Sequence, residues 1–300
     1  MKDPHARVQE YYRSVADGYD GQYRSDFSGY PANQKRLELI LRRLKELKPA
    51  TLLDCGCGEG TPLARFHEAG IQAWGFDFVD AMVKSAQSNL AGKGLADRVW
   101  MGDVTDPASF QPAGRKVPSR FDAMVATGVF PHLHREAVAL DTMASFLNRG
   151  GRVFIEFRNE LFALFTLNRY SYEFFRDRLI RLEQLKQRYP QWTSQLEQLE
   201  KELQEFFALE FPPRRAASSR GPGFDEILAK FKNPDEVGAL FEKAGLRVEK
   251  VHFYHWHAFP TLFERKFPEL FRQASLDQEG SEDGRGKWMS SAFIVEASKP

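Results

Sequence analysis

The sequence predicts an α/β protein: a Rossmann-like, mostly parallel sheet of seven strands with helices on both faces. Three observations predict it. Helical and strand-like stretches alternate from residue 35 to residue 157, the pattern of crossover units in a parallel sheet. The first apolar strand runs straight into a glycine turn and a helix start, at Leu52-Leu53-Asp54-Cys55-Gly56-Cys57-Gly58-Glu59-Gly60-Thr61-Pro62. Two later strands end on carboxylates, Asp77 and Asp103, which places both acids at the ligand-binding edge of such a sheet.

Residues 5–47 read as helical. Leu37, Leu39, Ile40, Leu41 and Leu44 give the 35–46 stretch one buried face. In the loop after strand 1, alternate glycines allow a turn where a side chain would clash. Thr61 is expected to cap the following helix, with Pro62 at its first position. The free amides and positive dipole of that helix end attract an anionic group. A dinucleotide loop needs Gly-x-Gly-x-x-Gly. Counting from Gly56, the third position is Thr61; counting from Gly58, it is Leu63. The loop is therefore Gly-x-Gly-x-Gly, with an acid two residues before it.

Strand 2 covers 71–76 and closes on Gly75-Phe76-Asp77. Strand 3 closes on Met101-Gly102-Asp103-Val104. Strand 4, from Phe121, ends in Thr127-Gly128. A helix end and a tight turn at Gly150-Gly151 lead to strand 5.

Taken together, these five elements resemble the class I S-adenosylmethionine (SAM) dependent methyltransferases, closely over residues 45–160 and more loosely over 233–300. The resemblance implies SAM as cofactor and S-adenosylhomocysteine as product. It places Asp54 and Gly56 at the amino end of the cofactor, within the Gly56, Gly58, Gly60 loop. Asp77 with Phe78 falls to the ribose, Asp103 and Val104 to the adenine, and Thr127 and Gly128 to the methionine portion. Tyr12-x-x-x-Ala16-x-x-Tyr19-Asp20 resembles the opening of many small-molecule members, where N-terminal helices cover the cofactor. An aromatic face beside a sulfonium is physically apt, so Tyr19 is a candidate catalytic-pocket residue.

Composition narrows the partners. With 42 basic and 41 acidic residues the formal net charge is +1, which argues against a broad nucleic-acid footprint. No apolar run is long enough to span a bilayer, and the first residues lack the apolar core of a signal peptide. A cytoplasmic protein with no membrane partner is expected. The two cysteines, Cys55 and Cys57, read as small apolar residues flanking glycines.

Four regions follow: an N-terminal cap (1–47), the SAM-binding core (48–158), a helical insertion (159–232) and the completion of the sheet (233–300). In the insertion, two helices over 169–188 and 191–209 break at Tyr189-Pro190. Leu179, Leu182 and Leu185 form one stripe; Leu196, Leu199 and Leu203 form part of the other. Such a hairpin suits a lid or a homodimer contact equally. A loop rich in Pro, Gly and Ser follows, with Arg214, Arg215 and Arg220. Asn233-Pro234-Asp235-Glu236 has the form of a helix start. That helix ends at Gly245, and strands cover 246–257 and 287–298.

For chemistry, His132 lies just beyond strand 4, where an imidazole could take a proton from a hydroxyl or amine. His134 reads as a surface residue. Arg158 and Asn159 follow strand 5 at the substrate edge; Arg158 suits a carboxylate or phosphate, or else pairs with Glu156 or Glu160. Strand alternation puts His255 and His257 on one face and Tyr254 and Trp256 on the other, a substrate-pocket wall rather than a metal site. No metal is expected. The function that emerges is methylation of a small molecule at oxygen or nitrogen. Strand 4 continues as Thr127-Gly128-Val129-Phe130, not as the Asp/Asn-Pro-Pro-Tyr/Phe of the adenine and glutamine amino-methylases. The 26 phenylalanines hint at a partly apolar acceptor. RNA or protein methylation, through the loop arginines, and SAM binding without catalysis stay open as alternatives.

Overall fold

The computed structural model describes residues 4–16, 18–24, 27, 29–207, 216–218, 221–223 and 226–300. Strands β1 (Thr51–Cys55), β2 (Gln72–Asp77), β3 (Val99–Met101), β4 (Phe121–Ala126) and the first half of β5 (Leu147–Asn159) run parallel, β3 pairing with β2, β2 with β1, β1 with β4 and β4 with β5. Strand β6 (Phe231–Lys232) is parallel to the end of β5. Strands β7 (Arg247–Trp256) and β8 (Ser290–Ser298) complete the sheet, with β8 antiparallel to both of its neighbours. The spatial order is β3-β2-β1-β4-β5-β8-β7.

The sheet thus has eight strands among the described residues, against the seven expected. The extra one is β6. The ladder between β4 and β5 ends at Ala126↔Ile155, so β5 runs on past β4 with a free edge. Phe231 and Lys232 take that edge opposite Arg158 and Asn159. Two residues leave no periodicity in a sequence, which is why β6 was not legible.

Two apolar layers enclose the sheet, as burial on both faces of parallel strands requires. Helices α1 (Pro4–Val15) and α2 (Ala32–Leu47) form the cap. Helix α2 packs with α3 (Thr61–Glu68) and α4 (Asp80–Ala91) on one face, around Ile40, Leu52, Phe66, Phe154 and Ile294. The other face carries α5 (Glu136–Ser145) around Phe121, Met124, Phe157 and Phe293.

The insertion departs from the expected two helices. Helix α6 (Arg169–Phe174) widens into a π-helical stretch, Phe175–Ile180, and Arg181 then takes a left-handed φ of 56° before α7 (Leu182–Arg188). The wider turn rotates the stripe, leaving Leu179 55% exposed while Leu182 is buried. The break at Tyr189-Pro190 is present, and α8 (Thr193–Phe206) returns against α7, with Lys186 bonded to Glu200 at 2.8 Å. Arg214, Arg215 and Arg220 lie outside the described residues.

Two capping expectations are corrected. Helix α3 has Gly60, not Thr61, at its N-cap; Thr61 donates both its N–H (3.2 Å) and its hydroxyl (2.8 Å) to Glu59. A carboxylate two residues earlier takes both the amide and the hydroxyl of Thr61. Asn233 makes a turn, accepting from Asp235 N–H at 3.0 Å, and helix α9 (Gly238–Lys243) starts only at Gly238. Its Phe241 and the adjoining Val237 join the layer of α5.

Candidate active site

The cleft forms where β1, β2 and β4 end and the cap crosses over them. After β1 the chain turns at Gly56, with φ 94°; a Cβ there would lie 2.3 Å from Val129. Gly58, with φ 55°, has nothing within 4 Å of its missing Cβ, so the backbone faces open space at the cleft floor. Its N–H donates to Asp77 Oδ2 at 2.9 Å, and Val79 N–H donates to Oδ1 at 2.9 Å. Burial raises Asp77 to about 6 in spite of those amides.

The cleft holds about 860 Å³ of space, open solvent at its mouth included. Of the expected cofactor residues, Gly56, Gly58, Asp77, Phe78, Asp103, Val104, Thr127 and Gly128 line it. Gly60 lies behind, packed on Leu90 and Ala86. Asp54 sits below the floor, 1% exposed, with Oδ1 lacking any hydrogen-bond partner among the described residues. Burial raises its carboxyl to about 7; Arg36 opposes this, and Asp77 and Glu59 add to it. A buried acid with a bare oxygen beside an open backbone cradle fits a ligand that brings a positive charge and hydroxyl donors. Cys55 and Cys57 are buried, and burial pushes both thiols up.

The cleft is also lined by His132, in the Phe130–His132 turn after β4. Its Nδ1 lies 2.6 Å from the carbonyl oxygen of Leu228, and its Nε2 3.2 Å from the hydroxyl of Tyr12. Burial lowers the imidazole to about 4, so it is neutral at pH 7. A carbonyl only accepts, so Nδ1 carries the proton and Nε2 offers the lone pair. Tyr12 and Tyr19 line the same wall, ring centroids 6.4 Å apart, edge to face. Burial pushes both phenols up.

Sequence reasoning missed the network beneath this wall. Glu156 on β5 accepts from Arg36 Nη1 (2.6 Å), Gly128 N–H (2.6 Å) and the hydroxyl of Tyr254 (2.5 Å). Arg36, which lines the cleft, also donates to the Tyr23 hydroxyl at 3.3 Å. One signal was visible: a lone acid inside the apolar run Phe154-Ile155-Glu156-Phe157 must have a buried partner.

The expected substrate residues separate. Arg158 lies over the ring of Phe231, 5.9 Å from its centroid, and has no ion pair among the described residues. Both acids it could have joined are taken, Glu156 by Arg36 and Glu160 by Arg178. Asn159 is 1% exposed and outside the cleft. Its amide donates to the carbonyls of Lys287 (2.9 Å) and Ser290 (2.8 Å), and its oxygen accepts from Leu161 N–H (3.0 Å). Tyr254 lies under the cleft, on Glu156. His255 and His257 stack on each other (4.9 Å) and on Tyr30 (4.8 and 6.4 Å), away from the cleft. The alternation expected along β7 holds for His255 and His257, which share a side, but breaks at Trp256, after the left-handed φ of 58° at His255. Trp256 consequently closes on Gly286 together with Phe253, not on the Tyr254 side. Among the described residues no three His, Cys, Asp or Glu are grouped to hold a metal ion. No described helix is long and apolar enough to cross a membrane. His134 is exposed.

A Rossmann-like sheet with this cradle, these strand-end acids and an aromatic cap defines the SAM-dependent methyltransferase class. A family model described as "Methyltransferase domain" matches residues 29–251, and the chain belongs to that family. Among curated relatives, it is 29% identical to the ubiquinone biosynthesis O-methyltransferase of Xylella fastidiosa (strain M23). That match runs over 135 residues, 45% of this chain and 52% of that one. The protein of the same name from Xanthomonas euvesicatoria pv. vesicatoria is 30% identical over 135 residues, 45% and 54% of the two chains. The chain spans about half the length of the curated relatives it matches. Among solved structures, the magnesium protoporphyrin IX methyltransferase of Synechocystis PCC 6803 aligns with a TM-score of 0.54 and 14% identity, over 98% of both chains. The 1,6-didemethyltoxoflavin-N1-methyltransferase of Burkholderia thailandensis aligns with a TM-score of 0.52 and 15% identity, over 100% of this chain and 91% of that one. At such identity these structures speak for the fold.

Proposed function

We propose that the protein transfers the methyl group of SAM to an oxygen or nitrogen of a small-molecule acceptor, with His132 as general base. The observation that carries this reading is the neutral His132 lining the cleft, its Nδ1 held by the Leu228 carbonyl and its Nε2 lone pair facing the Tyr12 hydroxyl at 3.2 Å. SAM, when bound, supplies a methyl group already activated on a sulfonium sulfur.

The chain's own residues then align and deprotonate. Asp77 keeps accepting capacity for a ribose hydroxyl, and Asp103 accepts from the adenine amine. Asp54 answers an ammonium group, which would draw its carboxyl back down. Tyr12 and Tyr19 present aromatic surface to positive charge. His132 Nε2 takes the acceptor's proton, the acceptor displacing the Tyr12 hydroxyl that now donates to it. Arg158 is left to hold an anionic oxygen of the acceptor. The names of the curated relatives favour an oxygen acceptor. The reading extends to a cytoplasmic enzyme whose α7–α8 hairpin is a lid or a subunit contact.

The test is incubation with methyl-labelled SAM and host extract, followed by size fractionation. Label in small metabolites is expected, and its loss in H132A assigns the base. Label in RNA or protein would overturn the small-molecule reading.

A further inference from the structure

The pair at His132 is assembled from three distant parts of the chain: Tyr12 of α1, the turn after β4, and Leu228 in the segment returning from the insertion. That return segment is fastened to the turn. Lys230 N–H donates to the carbonyl of Pro131 at 2.8 Å, and Lys230 Nζ reaches the carbonyl of His134 at 3.4 Å. Lys230 and Lys232 both pair with Glu136, at 3.4 and 2.6 Å. Strand β6 then fixes the next residues to β5.

The groups around the imidazole have unequal reach. Tyr12 faces it from α1, and Glu156 and Arg158 act on it from β5 only at longer range. Among the described residues, Leu228 alone offers Nδ1 an acceptor. A neutral imidazole without such a partner exchanges its proton between the two nitrogens. Every molecule with the proton on Nε2 has no lone pair turned toward the acceptor.

We propose that the return segment 228–232 is a positioning element, holding the His132 proton on Nδ1 so that Nε2 stays free to act as base. The proposal rests on the reading of His132 as base. It gives the insertion a task in catalysis: its return segment must dock on the turn after β4 before the base has its working tautomer. Glu136 and Lys230 act through His132 and touch no substrate, so both are positioning residues.

The test uses the full chain with its histidines ¹⁵N-labelled, saturated with S-adenosylhomocysteine, with H132Q to assign the His132 resonances. In the wild type, Nδ1 should resonate as a protonated and Nε2 as an unprotonated nitrogen. In E136Q, and independently in K230P, the two resonances should converge. Methyl transfer to the small-metabolite fraction of host extract should fall about tenfold, with S-adenosylhomocysteine affinity held within about twofold. That retained affinity shows that the variants are folded. A wild-type spectrum with Nε2 protonated would overturn the proposal. So would unchanged resonances in variants that have lost activity. Full activity in H132A would instead remove the base reading, and it differs because the wild-type tautomer would still be the one described.

Discussion

Asp54, the last residue but one of β1, carries a carboxylate oxygen that nothing among the described residues satisfies, and burial raises its pKa to about 7. A ligand ammonium needs the ionised form. Affinity for S-adenosylhomocysteine should therefore fall as pH drops below about 7, by up to about tenfold per pH unit. In D54N the falling limb should move down toward the value set by Asp77, about 6. Calorimetric titrations between pH 5.5 and 8.5 check this; an identical limb in D54N would sink the assignment of Asp54. The glycines separate in the same way. G56A must push Val129 aside as well as hold a left-handed φ, and should cost at least about 2 kcal/mol of stability. G58A meets only the strain, about 1 kcal/mol. Its methyl group fills the space the ligand needs, so affinity should drop at least tenfold, roughly. Urea unfolding and S-adenosylhomocysteine titration of both variants separate the two effects. The loop was legible in the sequence because its constraint is local: each glycine answers a dihedral or a close approach within a few residues.

Between elements, the sequence was legible wherever periodicity sets the structure and opaque where a distant partner does. Strands β1 to β5 and the acids at their ends stood where the patterns put them. Glu156 signalled that it needs a buried partner, but not that the partner is Arg36, because their bond joins residues 120 apart in the chain. The turn of β7 at His255 is a backbone event with no residue-type signal. Glu156 ties three elements at once: α2 through Arg36, the end of β4 through Gly128, and β7 through Tyr254. Burial pushes its carboxyl up, yet Arg36, Tyr254 and the Gly128 amide hold it below the ordinary value. E156A strands the Arg36 charge and should cost about 3–5 kcal/mol. The double variant R36M/E156M replaces the pair by apolar volume and should regain most of that stability. It should not regain S-adenosylhomocysteine affinity, because Arg36 lines the cleft. Urea unfolding of both variants checks the first claim and ligand titration the second. A double variant as unstable as E156A would show that the pair's partners, not its charge balance, hold the cap.

Over the whole molecule, buried titratable groups of opposite sign offset one another, and the balance turns on whether the cleft is filled. His132 and His255 lie at about 4 and His257 well below the ordinary 6.5, all because burial disfavours the charged ring. The unfolded chain takes up these protons near pH 6.5 and the native chain does not. Each depressed histidine therefore contributes stability that is full above 6.5 and is lost as pH falls toward about 4. Asp54 and Asp77 act in reverse. Their native values, about 7 and about 6, exceed the ordinary 3.8, so the native chain takes up their protons first and gains stability over much of the same range. Among these five groups in the empty protein, the two gains offset part of the three losses, so their combined contribution declines less steeply on acidification than the histidines alone would make it. A cationic ligand on Asp54, with hydroxyl donors on Asp77, holds both ionised and removes the gains. The liganded protein should then lose stability more steeply on acidification, and the stabilisation given by S-adenosylhomocysteine should shrink steadily from pH 7 to pH 5. Urea midpoints with and without saturating ligand across that range measure the difference directly. A ligand increment independent of pH would mean that neither carboxylate changes its proton on binding, and that the cradle holds its ligand through the backbone alone.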